Sequence, residues 1–306
     1  MPNDTIFTLI SNLKDQKSLA IKETIEKIAP LQTAVLLYGE TGTGKDFWAK
    51  ALTGLSPFQP LLSLGCGDVP ETLLESEWFG FQKGAFTGAD RDFSGKWKTA
   101  ENGTIFLNNI DLLSLNMQAK LLRVIERKKF SPLGSTQETD IAARFIFSAD
   151  SSIAEKVQRG EFRSDLYFRI AAVSIFIPPL RDRKKDILPL LQYFCRQLQV
   201  DMRLAPELLQ KLLDYPWPGN IRELENFVFG LSVRGCPMSE KDVCSLLDRP
   251  QNILHVIQSG ERSLAEVEKE YIAYLVRKYK NKSRVARILK ISRKSLYNKL
   301  KIYENH

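Results

Sequence analysis

The sequence predicts an α/β core, a parallel sheet with helices on both faces, followed by an all-helical subdomain and a small carboxyl-terminal helix-turn-helix. Three observations carry this expectation. Short apolar runs alternate with helical patterns over the first part of the chain, only helical patterns follow Pro178-Pro179, and positive charge is concentrated at the carboxyl end. The 306 residues are 43% hydrophobic and 26% charged, a globular balance with room for one large domain and one or two small ones. That composition argues against a disordered or fibrous protein.

Taken in order, a short segment at 1–29 precedes and partly joins the core. It holds an expected helix over 16–28, with Leu19, Ile21, Ile25 and Ile28 on the apolar face. Strands are expected at 34–38 (AVLLY), 60–64, 104–107, 143–148 and 173–177, with a helix at 116–127 among them, giving an α/β subdomain at 30–180. A helical subdomain is expected at 181–248, where Ile187, Leu188, Leu190, Leu191, Phe194 and Leu198 recur at the helical period. Pro216, Pro218 and Gly219 break its next pair of helices. A linker at 249–262 then leads to the last module, 263–306.

That module carries the charge. From Arg262 to His306 there are 13 Lys or Arg against 4 Glu, a net of +9, so the first 261 residues hold −1 of the chain's +8. A basic module on a nearly neutral body points to a polyanion partner. Three helices are expected in it, at 264–279 with apolar Leu264, Val267, Tyr271, Ile272 and Leu275, at 282–289, and at 293–301. Lys290-Ile291 forms the turn, Ser292 caps the third helix, and Leu296 and Leu300 share its buried face. Two short helices with a tight turn describe a helix-turn-helix; the rival reading is a solvated basic bundle or an RNA binder.

No run approaches the length of a membrane span, and the amino end lacks a basic-then-apolar leader, so neither membrane insertion nor secretion is expected. The four cysteines are scattered without zinc spacing and there are only two histidines, which argues for a reducing cytoplasmic setting and against a structural metal.

Gly39-Glu40-Thr41-Gly42-Thr43-Gly44-Lys45-Asp46 directly follows the AVLLY strand. This is the G-x-x-x-x-G-K pattern of a phosphate loop in its strand-to-helix setting, with backbone N–H groups converging on phosphate and Lys45 reaching the β and γ phosphates. Asp46 stands where a Ser or Thr ligand to magnesium is usual.

Longer strings carry a resemblance. Glu75-Ser76-Glu77-Trp78-Phe79-Gly80, the hexapeptide Gly84-Ala85-Phe86-Thr87-Gly88-Ala89, the run 160–169 (GEFRSDLYFR) and the run 215–224 (YPWPGNIREL) resemble bacterial sigma-54-dependent transcriptional activators, the AAA+ enhancer-binding proteins, over roughly residues 8–306. The resemblance implies an AAA+ phosphate-loop core, ATP with Mg2+ as cofactors, ring assembly, and sigma-54 RNA polymerase as partner. Gly84, Ala85, Phe86, Thr87, Gly88 and Ala89 match the loop that contacts the sigma factor. Arg163 and Arg169 resemble the pair that reaches a neighbour's nucleotide, and Arg222 the sensor arginine of the lid. An acidic residue after the lysine is common in that family, so Asp46 fits it. The carboxyl-terminal module resembles the Fis-type domain of these activators, which binds palindromic enhancer DNA as a dimer. Arg293, Lys294, Ser295 and Asn298 would face the major groove, and Lys282, Arg284, Arg287, Lys299 and Lys301 the phosphates. Lys290 replaces that domain's turn glycine. Only about 30 residues precede the core, too few for a receiver domain, so control is expected through expression, a partner protein or ring composition.

The hydrolytic end departs from the pattern. Where the family has Asp-Glu after the third strand, this chain has Asn108-Asn109. The aspartate would hold magnesium through its water shell, so here the metal would arrive with the nucleotide, Asn108 nearby. An amide takes no proton, so Asn109 is no general base, a loss typically worth about 10²–10⁴ in rate. Gly65 replaces the asparagine that restrains the family's catalytic glutamate, and Phe147-Ser148-Ala149-Asp150 drifts from the first sensor pattern. ATP binding with poor hydrolysis is expected, either in a mixed ring with an active paralogue or in a slow homomeric ring. Two alternatives stay open: a conventional activator using a displaced carboxylate, Asp111 or Asp150, and a nucleotide-independent DNA-binding scaffold.

Overall fold

The computed structural model describes residues 2–67, 69–200 and 206–234, and individual positions between Glu268 and Leu300. The chain divides into two compact units, Met1–Pro237 and Met238–His306.

The first unit is built on a five-stranded sheet. Its strands are β1 (Val35–Tyr38), β2 (Leu61–Gly65), β3 (Thr104–Asn108), β6 (Arg144–Ala149) and β7 (Val173–Phe176), in the order β2-β3-β6-β1-β7, with every neighbouring pair parallel. The central strands are largely apolar because both faces are covered: all six residues of β6 are buried, Arg144 and Ser148 included. A two-stranded antiparallel ribbon, β4 (Lys129–Phe130) with β5 (Thr139–Asp140), lies between β3 and β6 in the chain.

The helices are α1 (Pro2–Asn12), α2 (Gln16–Ile28), α3 (Lys45–Gly54), α4 (Glu71–Phe79), α5 (Leu115–Arg127), α6 (Ile153–Gln158), α7 (Ser164–Ile170), α8 (Ile187–Gln197), α9 (Pro206–Asp214) and α10 (Asn220–Arg234). Helix α5 starts on Ser114, whose side chain accepts the Met117 N–H, and buries Met117, Leu121, Val124 and Ile125 at helical spacing. Above β3 and β6 the core is aromatic: Trp78 stacks on Trp97 at 5.2 Å, and Trp97 meets Phe145 edge-on at 5.5 Å.

Two expectations about faces are corrected. Leu19 is 39% exposed, and Ser18 takes the buried place on α2 because its hydroxyl has a partner inside. Leu198, the last residue of the α8 pattern, caps that helix and faces solvent at 36%. Positions 235–248 and the expected linker lie outside the described residues.

Chain order and spatial order separate after β1: the chain leaves the middle of the sheet and returns at the far edge with β2. Such a reversal opens a crevice at the carboxyl ends of the strands, and β1, β3 and β6 end there on Tyr38, Asn108 and Ala149.

Candidate functional site

Gly39 to Gly44 turn from β1 into α3. Gly42 has φ +78, and a Cβ there would lie 2.4 Å from the Gly219 carbonyl oxygen, so only glycine lets the loop approach the lid this closely. Lys45 is 8% exposed, and its ammonium donates to the carbonyls of Gly39 at 2.7 Å and Glu40 at 3.0 Å. Burial pushes its pKa below the ordinary lysine value, while the charges of Asp150, Asp111 and Asp46 offset part of that shift.

The loop is held from behind by residues that sequence reasoning did not single out. Arg181 forms a forked ion pair with Glu40, one arm at 2.9 Å. Asn220, fully buried, donates to the Thr41 carbonyl at 3.0 Å and the Glu40 carboxylate at 3.3 Å while accepting the Leu180 N–H at 2.7 Å. Arg183 donates to the Thr43 carbonyl at 2.5 Å. Burial lowers the Arg183 pKa to about 10, partly countered by Asp186 and Asp15. Asp186 in turn accepts the Lys14 and Asp15 N–H groups and the Ser18 hydroxyl, at 2.8, 2.9 and 2.5 Å. One chain of contacts thus joins the phosphate loop, the lid and the amino-terminal helices.

These elements enclose a cavity of about 580 Å³. Lys45, Lys50, Arg183, Arg222, Asn108 and Asn109 line it, together with Leu9, Leu13, Tyr193 and Phe194. Such a lining offers cations to a phosphate chain and apolar surface to a flat group. Of the residues expected to bind ATP, Thr41, Gly42, Thr43, Gly44, Lys45, Asp46 and Arg222 line the cavity, and Gly39 and Glu40 do not.

At the end of β3 the Ser148 hydroxyl donates to Asn108 Oδ1 and accepts the Asn109 N–H at 3.0 Å. Asn109 adopts the left-handed conformation, φ +58, and opens the short turn that follows. The two displaced carboxylates are both engaged. Asp111 is buried, receives Lys156 Nζ at 2.8 Å, and accepts the Asp150 N–H at 3.2 Å. Asp150 accepts the Ser152 hydroxyl at 2.8 Å and its N–H at 3.0 Å. Neither lines the cavity. Among the described residues no group of three His, Cys, Asp or Glu side chains could hold a metal. Asn108 Oδ1 keeps a second lone pair beside the Ser148 bond, and its amide N–H donors suit a phosphate oxygen. Asp46 and Glu225 are the carboxylates of the cavity lining, and one or two carboxylates beside the phosphates are what a nucleotide-borne magnesium ion takes from a protein.

Arg163 caps the start of α7 and Arg169 lies in its last turn, and both are exposed. They differ in state: Arg163 is gripped by Asp165, with bonds of 3.0 and 2.7 Å, whereas no hydrogen bond or ion pair is seen for Arg169 among the described residues. Buried Gln118 anchors this turn to α5, accepting the Arg163 N–H at 2.8 Å. The segment from Gly84 to Ala89 is a closed loop in which the Gly84 N–H bonds the Ala89 carbonyl at 2.9 Å. It displays Phe86 at 46% exposure, with the Phe81 ring 5.0 Å behind it.

In the second unit Ile272, Leu275, Val285, Ala286 and Leu296 form a small core with Leu300 packed against it. Ser292 Oγ accepts the Ser295 N–H at 3.0 Å, the expected cap. Tyr271 is 38% exposed, a correction to the apolar face of the first helix. Lys299 pairs with Glu268 at 2.7 Å. Lys282 and Arg293 are exposed. Arg284, Arg287, Lys294, Asn298 and Lys301 lie outside the described residues, as do Leu264, Val267 and Lys290.

Among the described residues no helix is long and apolar enough to cross a membrane. Three family models match the chain: the sigma-54 interaction domain over residues 12–176, the AAA+ ATPase lid domain over 181–265, and the bacterial regulatory protein Fis family over 263–303. It is 41% identical over 297 residues to the transcriptional regulatory protein ZraR of Klebsiella oxytoca, covering 92% of this chain and 66% of that protein. It is 42% identical over 216 residues to the Nif-specific regulatory protein of Azospirillum brasilense, covering 69% and 35%. The chain thus spans about a third to two thirds of the length of these relatives. The structure of NtrX from Brucella abortus in complex with ATP superposes with a TM-score of 0.70 at 26% identity, covering 95% of this chain and 68% of that one. A parallel-sheet core, the loop displaying Phe86, the helical lid and the capped basic module come together in one conclusion: this chain belongs to the sigma-54 interaction domain family of AAA+ transcriptional regulators, with a Fis-type helix-turn-helix at its carboxyl end.

Proposed function

We propose that this chain is a DNA-binding regulator of sigma-54 transcription that binds ATP and hydrolyses it poorly, and that it completes a mixed ring with an active paralogue. In that ring Arg163 and Arg169 serve the neighbour's nucleotide, and the loop from Gly84 to Ala89 contacts the sigma factor. The carboxyl-terminal module, through residues such as Lys282, Arg293 and Ser295, holds enhancer DNA. Nucleotide binding is supported by Lys45, Arg222 and the enclosed cavity, and by the ATP complex of the similar NtrX.

One observation carries the catalytic part. The cavity wall offers Asn109 where a base is needed, while Asp111 and Asp150 are bound elsewhere and stand outside the lining. This disfavours a conventional activator with a displaced carboxylate. In steady-state turnover with enhancer DNA, the chain is expected to bind ATP with little hydrolysis, and Asn108→Asp with Asn109→Glu to raise the rate by about 10²-fold or more. Robust turnover before restoration, abolished by Lys45→Ala, would establish the conventional activator instead. Assembly and DNA occupancy unchanged in Lys45→Ala would favour the scaffold.

A further inference from the structure

We propose that Glu225 accepts the ribose hydroxyls of the bound nucleotide, so that the site selects ribonucleoside triphosphates over those lacking these hydroxyls. The inference deepens the ATP-binding reading above by naming its substrate class, and rests on it.

Position is the first ground. The Ile221 N–H donates to the Gly42 carbonyl at 2.9 Å, which pins the start of α10 to the phosphate loop. Arg222 follows in the first turn of that helix. Glu225 lies three residues on, on the same face and about 4.5 Å further along the axis. Both side chains line the cavity. Along α10 the cavity wall therefore runs from the phosphate loop past a cation to a carboxylate, the order in which a nucleotide runs from phosphates to ribose. Glu225 also lies near Tyr193 of α8, the helix that packs against α10. Burial and the Glu225 charge hold the Tyr193 phenol above its ordinary pKa, so it stays neutral beside the carboxylate.

Chemistry is the second ground. An ionised carboxylate has acceptors only and repels phosphate. The other carboxylate of the lining, Asp46, follows Lys45 in the first turn of α3 and so stays at the phosphate end, where a nucleotide-borne magnesium ion has use for it. Glu225 is most of a helical turn away from the pinned start of α10, and no hydrogen bond or ion pair is seen for it among the described residues. Its two oxygens match the two neighbouring hydroxyl donors of a ribose, the recognition that other nucleotide sites achieve with an acidic residue. Leu9, Leu13, Leu190 and Phe194 offer the base an apolar surface without side-chain acceptors.

The test is calorimetric titration of the full chain with ATP and with its 2′,3′-dideoxy analogue, in excess Mg2+ and in excess EDTA. The wild type is expected to bind ATP about tenfold or more tightly than the analogue in both conditions, and the gap to close to within about twofold in Glu225→Ala. Glu225→Gln, which keeps one acceptor, is expected to fall between. Glu225 is exposed, so its replacement is expected to leave the circular dichroism spectrum unchanged. Equal wild-type affinities for the two nucleotides overturn the inference while leaving ATP binding intact. A gap that persists in Glu225→Ala overturns the assignment to Glu225. Equal loss of both nucleotides in that variant, seen in Mg2+ and absent in EDTA, makes Glu225 a metal-side group and overturns it too. Inosine triphosphate, which lacks the base amine, separates the last case: a preference for ATP over it that Glu225→Ala abolishes, with the dideoxy gap intact, assigns Glu225 to the base and overturns the ribose contact. Absence of ATP binding in both conditions sinks the ATP-binding reading and this inference with it.

Discussion

Lys45 sits between two conflicting demands. It must be buried to meet phosphate, and burial pushes its pKa below the ordinary lysine value. Phosphate binding needs the charged form, so affinity is full while the ammonium is protonated and is lost as pH rises through the lowered pKa, earlier than for an exposed lysine. ATP titrations from neutral to alkaline pH are expected to show that loss, and Lys45→Arg to flatten it, because a guanidinium stays charged throughout. Lys45, Asn108 and Asn109 could be placed from sequence because each lies within a few residues of a strand end. Arg144 could not. It reads as an ordinary strand residue, yet it is 1% exposed and donates to the Ile28 and Ala29 carbonyls at 3.0 Å, closing the end of α2 from more than a hundred residues away.

At the scale of elements, the amino-terminal helices are part of the site. Asp186 satisfies two backbone N–H groups and a hydroxyl where α1 passes into α2, and Leu9 and Leu13 then reach the cavity. Asp186→Ala would strand those donors in a buried place and remove a charge that favours charged Arg183. Stability to urea is expected to fall by about 2–4 kcal/mol, with weaker ATP affinity in the protein that remains folded. Unchanged stability would mean that water replaces the carboxylate. The inner strands β1, β3 and β6 were legible because buried parallel strands are near-continuous apolar runs, the edge strands β2 and β7 as shorter runs each holding a serine, and α2 and α5 because their periodic faces run for 13 residues each. Helices α6 and α7, of six and seven residues, are too short for a period to register, and the two-residue strands β4 and β5 carry no alternation.

Across the whole molecule, charge separates as function does. The net of +9 from Arg262 onward makes the carboxyl-terminal module the part that meets a polyanion. Binding to duplex DNA is expected to weaken steeply with salt. Lys282→Ala is expected to lower the slope of log affinity against log salt by about one without changing site preference. Equal slopes in a salt series would remove Lys282 from the phosphate contacts. Lys299, tied to Glu268 at 2.7 Å, is expected to contribute less than its place in the sequence suggests.

The sequence by itself determined the family, the order of elements, the phosphate loop, the loop bearing Phe86 and the loss of the acid pair. All of these are written in contiguous residues, where local chemistry and spacing suffice. Only the tertiary structure decided which carboxylates line the cavity and what holds the phosphate loop. Glu40 meets Arg181 and Asn220 across separations of 141 and 180 residues, and Asp111 finds Lys156 across 45. Such partners share no period or motif; they are chosen by a low-dielectric interior in which a buried charge must be matched wherever the fold brings a counter-charge near.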